Sequence, residues 1–296
     1  MAGTAALAAD EVQPGRSPGQ LAARRFFRNR RATVCVWLLA AVGLATIFVP
    51  MASPHDYRVQ QLEEAKKPPT GTYWMGTDAN GRDLMVRSFY GGRISFAVGL
   101  LATFVSIVIG VAYGALSGFL GGKIDLLMMR FVDVLYGLPH MFIVIIVMVI
   151  FGQSFLLVFA VLGCFGWMTM SRIVRGQVLS LKEKEFVEAA RALGVTTRPM
   201  IWRHMIPNIL GPVIVYATLT VPSIMLQESF LSFLGLGISE PETSWGVLIN
   251  EGANALNSLK IYWWLVVFPG MLLAITLFCL NSIGDGLRDA FDVQQK

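Results

Sequence analysis

The sequence predicts an all-α membrane protein with six transmembrane helices. Three observations carry that expectation. The 296-residue chain is 55% hydrophobic and only 15% charged, with a mean hydropathy of +0.60, whereas a soluble domain carries roughly 25% charged residues. Six apolar stretches approach the ~20 residues needed to cross a bilayer, at about 32–50, 94–118, 131–151, 155–175, 209–233 and 262–283. Lys and Arg gather beside alternate ends of these stretches, as membrane topology requires. The net charge of +5 is small for a nucleic-acid binder. A lipid bilayer, and no nucleic acid, is therefore the expected surrounding.

Residues 1–31 read as a cytoplasmic N-terminal tail. Met1–Gln20 is rich in Ala, Gly and Pro and is expected to be disordered, and a basic run follows at Arg24, Arg25, Arg28, Arg30 and Arg31. The apolar run 32–50 is longer than the 7–15 residues typical of a cleaved signal peptide, so it reads as an uncleaved first span. With the N-terminus inside, most of the 24 Lys and Arg residues are cytoplasmic. An even number of spans then leaves both termini cytoplasmic. Residues 51–93 become an extracytoplasmic loop, 94–283 a five-helix core that includes a cytoplasmic loop at 176–208, and 284–296 a cytoplasmic C-terminal tail.

The outer loop begins with a solvated linker and reaches GTDANGRD at Gly76–Asp83. Asp, Asn and Gly favour turns. A calcium loop needs Gly at its sixth position, and Gly81 comes too early, so a structured turn is expected. Leu84, Met85, Ser88 and Phe89 form one face of a short interfacial helix leading into the second span. Within that span Ala102, Ser106, Gly110, Gly114 and Gly118 recur every fourth residue. Such a stripe lets another backbone approach closely, either as a packing seam or as a pore-lining groove. In the third span Pro139 removes a helix donor and predicts a kink beside Gly137 and His140. His140 reads as bonded to a neighbouring helix, because a proton relay needs acidic partners at depth, and Asp133 and Glu228 lie toward opposite ends.

The fifth span holds Pro212, Pro222 and Glu228. An intramembrane charge usually faces a bundle interior or a water-filled path. Glu228 is thus a candidate for the translocation path or its outer gate, with a satisfied structural carboxylate as the alternative. Ser244 is positioned to cap a helix starting near Trp245, and Tyr262, Trp263 and Trp264 suit an aromatic belt. Cys35, Cys164 and Cys279 all fall in apolar spans without metal spacing.

No phosphate-binding G-x-x-x-x-G-K-[ST], no H-E-x-x-H and no G-x-S-x-G occurs. His55, His140 and His204 do not cluster. No catalytic residue, metal site or bound cofactor is expected, and the chain does not read as an enzyme. An ion-coupled secondary transporter is the competing class. It would want midplane carboxylates and internal repeats, and neither is apparent.

The polar interval Ser180–Asn208 reads SLKEKEFVEAARALGVTTRPMIWRHMIPN. Ser180 and Glu183 match a capping box, which predicts a helix over about Leu181–Leu193, ended by Gly194 in a left-handed conformation. Phe186, Ala189, Ala190 and Leu193 would share one face. A second helix has Pro199 in its first turn and Pro207 at its end. A helix–glycine–helix on the cytoplasmic side has the shape of a docking element, with a plain interfacial helix as the alternative.

EFVEAARALG followed by MIPN resembles the E-A-A-x-x-x-G…I-x-L-P signature of ATP-binding-cassette importer permeases. Glu188, Ala189, Ala190, Gly194 and Pro207 match it, while His204 and Ile206 stand where Ile and Leu are usual. GTDANGRDL, SGFLGGKIDLLMMR, ESFLSFLGLG, SWGVLI and GDGLRDAFD are similar to the dipeptide/oligopeptide branch, nearest its C-type subunit, and the likeness covers about residues 20–293. The resemblance implies the type I importer permease fold in a bacterial inner membrane. It implies a heterodimer with a homologous second permease, two cytoplasmic ATPases that hold ATP and Mg, and an extracytoplasmic peptide-binding protein. The implied cargo is peptide, oligopeptides over dipeptides, with nickel or another small solute as the alternative. Glu188, Ala189, Ala190, Gly194 and Pro207 would couple to the ATPase. Asp78, Arg82 and Asp83 would face the binding protein or a gate.

Overall fold

A computed structural model of the protein describes residues 18–256 and 260–291. The expectations for residues 1–17 and for 292–296 of the C-terminal tail lie outside the described residues.

The first described element, α1 (Pro18–Arg28), corrects the reading of the tail, since Pro18–Gln20 already belong to a helix. Its Ala22 and Phe26, one turn apart, are buried against Ala290 and Phe291 near the end of the chain. The described N- and C-terminal elements therefore meet at one end of the bundle. Asn29 caps α2 (Arg30–Ala52) by accepting from the Ala32 amide at 3.3 Å.

Asp83 caps α3 (Leu84–Leu120), accepting from Met85 N at 2.8 Å and Val86 N at 3.3 Å. At 1.5 Å per residue its 37 residues run about 55 Å, well beyond the ~30 Å hydrocarbon core. The expected interfacial helix and second span are thus one helix, and Leu84 and Ser88 are buried in protein instead of facing lipid. Gly121, at φ 67°, turns the chain directly into α4 (Gly122–Gly137), so the interval 119–130 between the second and third expected spans is mostly helical. α4 and α5 (His140–Phe151) meet at 72° around Leu138 and Pro139. The expected kink is a full break.

Ser154 caps α6 (Phe155–Lys182). After α7 (Glu185–Ala192) the chain re-enters as α8 (Thr197–Phe233), whose Met200–Met205 turn is π-helical. α9 (Trp245–Ala255) starts where expected, with Ser244 accepting from Val247 N at 3.3 Å, and α10 (Trp264–Phe291) closes the fold. Among the described residues five helices, α2, α3, α6, α8 and α10, are long and apolar enough to cross a membrane, and the bent α4–α5 pair makes a sixth crossing if it is one span.

The α3–α6 seam is the most extensive helix contact among the described residues and decides between the two readings of the small-residue stripe. A Cβ added at Gly110, Gly114 or Gly118 would lie 2.9, 2.3 and 2.9 Å from the carbonyl oxygens of Trp167, Ser171 and Arg175. Ser106 Oγ donates to Gly163 O at 3.1 Å. The stripe is an internal packing seam and no groove.

Candidate functional site

At the end of the bundle where α6 gives way to α7, the local cap signal fails. Val178 is buried in the core, so α6 continues through Ser180 to Lys182, and the Ser180–Glu183 capping box is not formed. α7 starts at Glu185, three residues after α6 ends. Val187 and Ala190, three residues apart, turn inward and pack with Val178, Met200 and Met205. Ala190 therefore holds α7 to the bundle, which corrects the expectation that it shares an outward face with Ala189. Glu188, Ala189 and Gly194 remain exposed, as do Phe186 at 41% and Leu193 at 85%.

Gly194 adopts φ 79° as expected. Its amide donates to Arg191 O at 2.9 Å and the next amide, of Val195, to Ala190 O at 3.1 Å, the double closure of a left-handed helix end. Arg191 and Lys182 both place cationic groups over the Phe119 ring, at 5.6 and 5.8 Å. The Arg191 contact fastens α7, and the Lys182 contact the end of α6, to the end of α3. Pro207 does not end a short helix. It is exposed just after the π-turn, inside the continuous α8, where the Ile206 amide reaches back to Ile201 O.

Between the α4–α5 break, α6 and α8 lies a cavity of about 410 Å³. Its polar lining comprises Tyr136, Thr169, Tyr216, Thr220, Ser223 and Gln227, with His140 at the break and apolar Leu135 and Phe165 completing the wall. Among the described residues no carboxylate, Lys or Arg lines it. Tyr216, Thr220, Ser223 and Gln227 follow one another at spacings of four, three and four and so share one face of α8.

Glu228 is next to Gln227 in sequence, but about 100° away around the helix, and it is not part of that lining. It is fully buried and accepts from Ser232 Oγ and Ser244 Oγ at 2.7 Å each, with Ser229 Oγ at 3.4 Å and Ser95 Oγ at 3.5 Å. Ser95 Oγ in turn accepts from Trp245 N at 3.2 Å. Of the two readings of Glu228, this geometry supports the structural carboxylate, which ties α3, α8 and α9 together.

Asp78, Arg82 and Asp83 occupy the opposite end and are all buried. Asp78 Oδ2 accepts from Arg82 Nε at 2.7 Å and from Arg87 Nη1 at 2.5 Å, while its Oδ1 accepts from the amides of Asn80 and Arg82 at 2.8 and 2.9 Å. Arg87 also donates to both Glu251 oxygens, at 2.5 and 2.9 Å, and Arg82 to Glu240 at 2.9 Å. Burial disfavours the charged form of Arg82, yet its carboxylate partners, led by Asp78, hold its pKa above the ordinary value. Asp83 is spent on the α3 cap and on His55 Nδ1 at 2.7 Å. Their burial leaves these three side chains little surface for direct contact with an outer partner, and they pair with groups of this chain instead. Glu240 is the exposed member of the network. Arg87, Glu251 and the cavity face of α8 escaped the sequence reading. For Arg87 a signal existed, because Leu84, Arg87, Ser88 and Gly91 fall at the spacings of one buried helix face. Among the described residues no group of three His, Cys, Asp or Glu is placed to hold a metal.

A multi-span helical bundle with a neutral cavity between its helices has the form of a membrane transport component. The family described as "Binding-protein-dependent transport system inner membrane component" matches residues 106–294, and the "N-terminal TM domain of oligopeptide transport permease C" matches residues 17–69. The chain belongs to the family of binding-protein-dependent inner-membrane transport components, and is a multi-pass permease subunit of an ATP-binding-cassette importer. It is 49% identical over 290 residues to the oligopeptide transport system permease protein OppC of Haemophilus influenzae, covering 97% of this chain and 92% of that one. It is 50% identical over 285 residues to OppC of Escherichia coli K12, covering 95% and 93%. It is 43% identical over 285 residues to the dipeptide transport system permease protein DppC of Bacillus subtilis, covering 96% and 88%.

Proposed function

We propose that this chain forms half of the path through which an ATP-driven importer takes up peptides, oligopeptides over dipeptides, delivered by an extracytoplasmic binding protein. A homologous second permease supplies the other half, and two cytoplasmic ATPases hold the ATP and Mg. The names of the relatives support peptide as cargo. The Lys and Arg bias and the meeting of α1 with the end of α10 support an orientation with both termini and α7 in the cytoplasm.

One observation carries the reading. α7 presents an exposed outer surface while Val187 and Ala190 lock it onto α6 and α8, and those same two helices wall the cavity. A partner that shifts α7 therefore shifts the cavity. For ATP to drive this, it must bind the two states with different affinity. In this scheme Glu188, Ala189 and Gly194 shape the surface that the ATPase receives. Ala190 transmits its movement, and Pro207 marks where α8 takes it up. Glu240 is the member of the outer cluster that meets the binding protein, on the frame that Asp78, Arg82 and Asp83 maintain. Nickel or another metal cation is the poorer cargo, because the cavity offers no carboxylate.

The test is assembly and uptake by the full transporter carrying Leu193→Asp. Burying a leucine side chain contributes roughly 1.5–3 kcal/mol, so ATPase co-purification should fall at least tenfold and uptake with it, at unchanged permease level. Peptide uptake that continues without ATPases under an ion gradient would overturn the proposal in favour of secondary transport.

A further inference from the structure

The cavity described above has a definite hydrogen-bonding character. Thr220 Oγ1 donates to Tyr216 O at 2.7 Å, and Ser223 Oγ lies 3.4 Å from Leu219 O, one turn back along α8. A hydroxyl has a single proton and two acceptor lone pairs. Each of these hydroxyls spends its proton on its own helix, so the oxygen facing the cavity is left as an acceptor. Across the cavity Tyr136 OH and Thr169 Oγ1 bond each other at 3.1 Å, and Gln227 adds an amide, which can both donate and accept, at the far end of the stripe. From Tyr216 to Gln227 the face rises about 16 Å, about half the hydrocarbon thickness.

We infer that Thr220 and Ser223 are specificity-determining residues which accept hydrogen bonds from backbone N–H groups of the translocating chain. This rests on the peptide-import reading and names the chemistry that its path uses. The backbone N–H is the donor every peptide repeats whatever its side chains. Fixed acceptors one helical turn apart, without a fixed charge, engage it without selecting for sequence. A carboxylate in their place would hold cationic peptides and repel acidic ones. The same rotation of α8 that buries Glu228 among serines keeps its charge off this face.

The experiment is ATP-driven uptake of tetra-alanine and of tetra-alanine N-methylated at its two central amides, by the complete transporter in proteoliposomes. The wild type is compared with the Thr220→Val/Ser223→Ala pair and with Thr220→Ser. The binding protein is common to all three, so its own preference cancels when the ratios of the two uptake rates are compared. Losing one neutral hydrogen bond changes a rate by about fivefold. The wild type should therefore discriminate against the methylated peptide by about fivefold or more beyond the ratio of the double variant, and Thr220→Ser, which keeps the acceptor, should retain the wild-type ratio. Equal ratios in the wild type and the double variant, with uptake intact, overturn the inference alone. A double variant that fails to assemble leaves the test to Ser223→Ala and Thr220→Val singly, each expected to lose part of the discrimination, and equal ratios there overturn it too. A wild-type transporter that takes up neither peptide overturns both this inference and the peptide-import reading beneath it.

Discussion

Two buried titratable side chains in this protein, Glu228 and Arg87, behave differently under substitution because their partners differ. Glu228 is surrounded by hydroxyl groups alone, and a hydroxyl can turn to donate or to accept. Glu228→Gln keeps the shape and lets the serines reorient, so uptake and protein level should both stay within about twofold of wild type. Glu228→Ala leaves a void and strands several hydroxyls, which should cost about 2–4 kcal/mol, read as a lower melting temperature in detergent. A large loss of uptake by Glu228→Gln at normal protein level would return this residue to the transport path. Arg87 is held by Asp78 and Glu251 and has no such freedom. Arg87→Met removes one of the two arginine partners of Asp78, Arg82 remaining as the other, together with both hydrogen bonds to Glu251, which should cost about 1–3 kcal/mol. Asp78→Asn should lower the melting temperature less in the Arg87→Met background than in the wild type, whereas equal shifts in the two backgrounds would mean the pair is not coupled. Arg82 sets a limit on pH effects in this cluster. Its pKa is raised above an already high value, so the stability it adds is fully present below the unfolded pKa. That stability is lost only as pH rises through the folded pKa, far above neutrality.

The same contrast between local signal and tertiary setting appears among the helices. The α3–α6 seam was readable because a four-residue repeat of small side chains needs only helical periodicity to become a flat face. Its prediction is correspondingly sharp. Gly114→Ala puts a methyl 2.3 Å from Ser171 O and should sharply reduce the yield of folded protein, while Gly43→Ala, with nothing within 4 Å, should not. Equal yields would show that the helices separate freely. The capping box at Ser180 was misleading because burial of Val178 carries α6 past it. Glu228 was conspicuous in the sequence as a charge, but which way it faces is set by Ser95 on α3 and Ser244 before α9, and no local pattern contains them. Pro50 illustrates a partner supplied from far away in sequence. It lies in α2 and has no amide to give to Thr46 O, four residues back. Arg93 of α3 fills the gap, donating Nε to Thr46 O and Nη2 to Ile47 O at 2.5 Å each. Arg93→Ala should therefore destabilise the protein, and Pro50→Ala should rescue much of that loss by restoring the intrahelical donor. Purely additive melting shifts from the two changes would refute the compensation.

At the scale of the whole molecule, the proposed function gives partner binding and the transmission of its movement to opposite faces of one eight-residue helix. On that proposal the exposed outer surface of α7, with Leu193, makes the contact, while the buried inner pair Val187 and Ala190 gives rigidity. The two functions can be separated experimentally. Val187 is completely buried among Val178, Met200 and Met205, and trimming it to alanine removes two methyl groups from a site with no contact to any partner. The cost of such a truncation, about 1–3 kcal/mol, is spread over the joint between α7 and the two helices that wall the cavity. Val187→Ala should leave ATPase co-purification near wild type yet lower the number of peptides imported per ATP hydrolysed, because α7 can then move without carrying α6 and α8. Leu193→Asp should do the reverse, losing association but keeping an unaltered yield per ATP in the complexes that still form. Parallel losses of association in both variants would mean that α7 acts as a single adhesive surface, with no mechanical division between its faces. An unchanged yield per ATP in Val187→Ala would mean that movement reaches the cavity by a route other than this joint, for which the contacts of Arg191 and Lys182 with Phe119 on α3 are the next place to look.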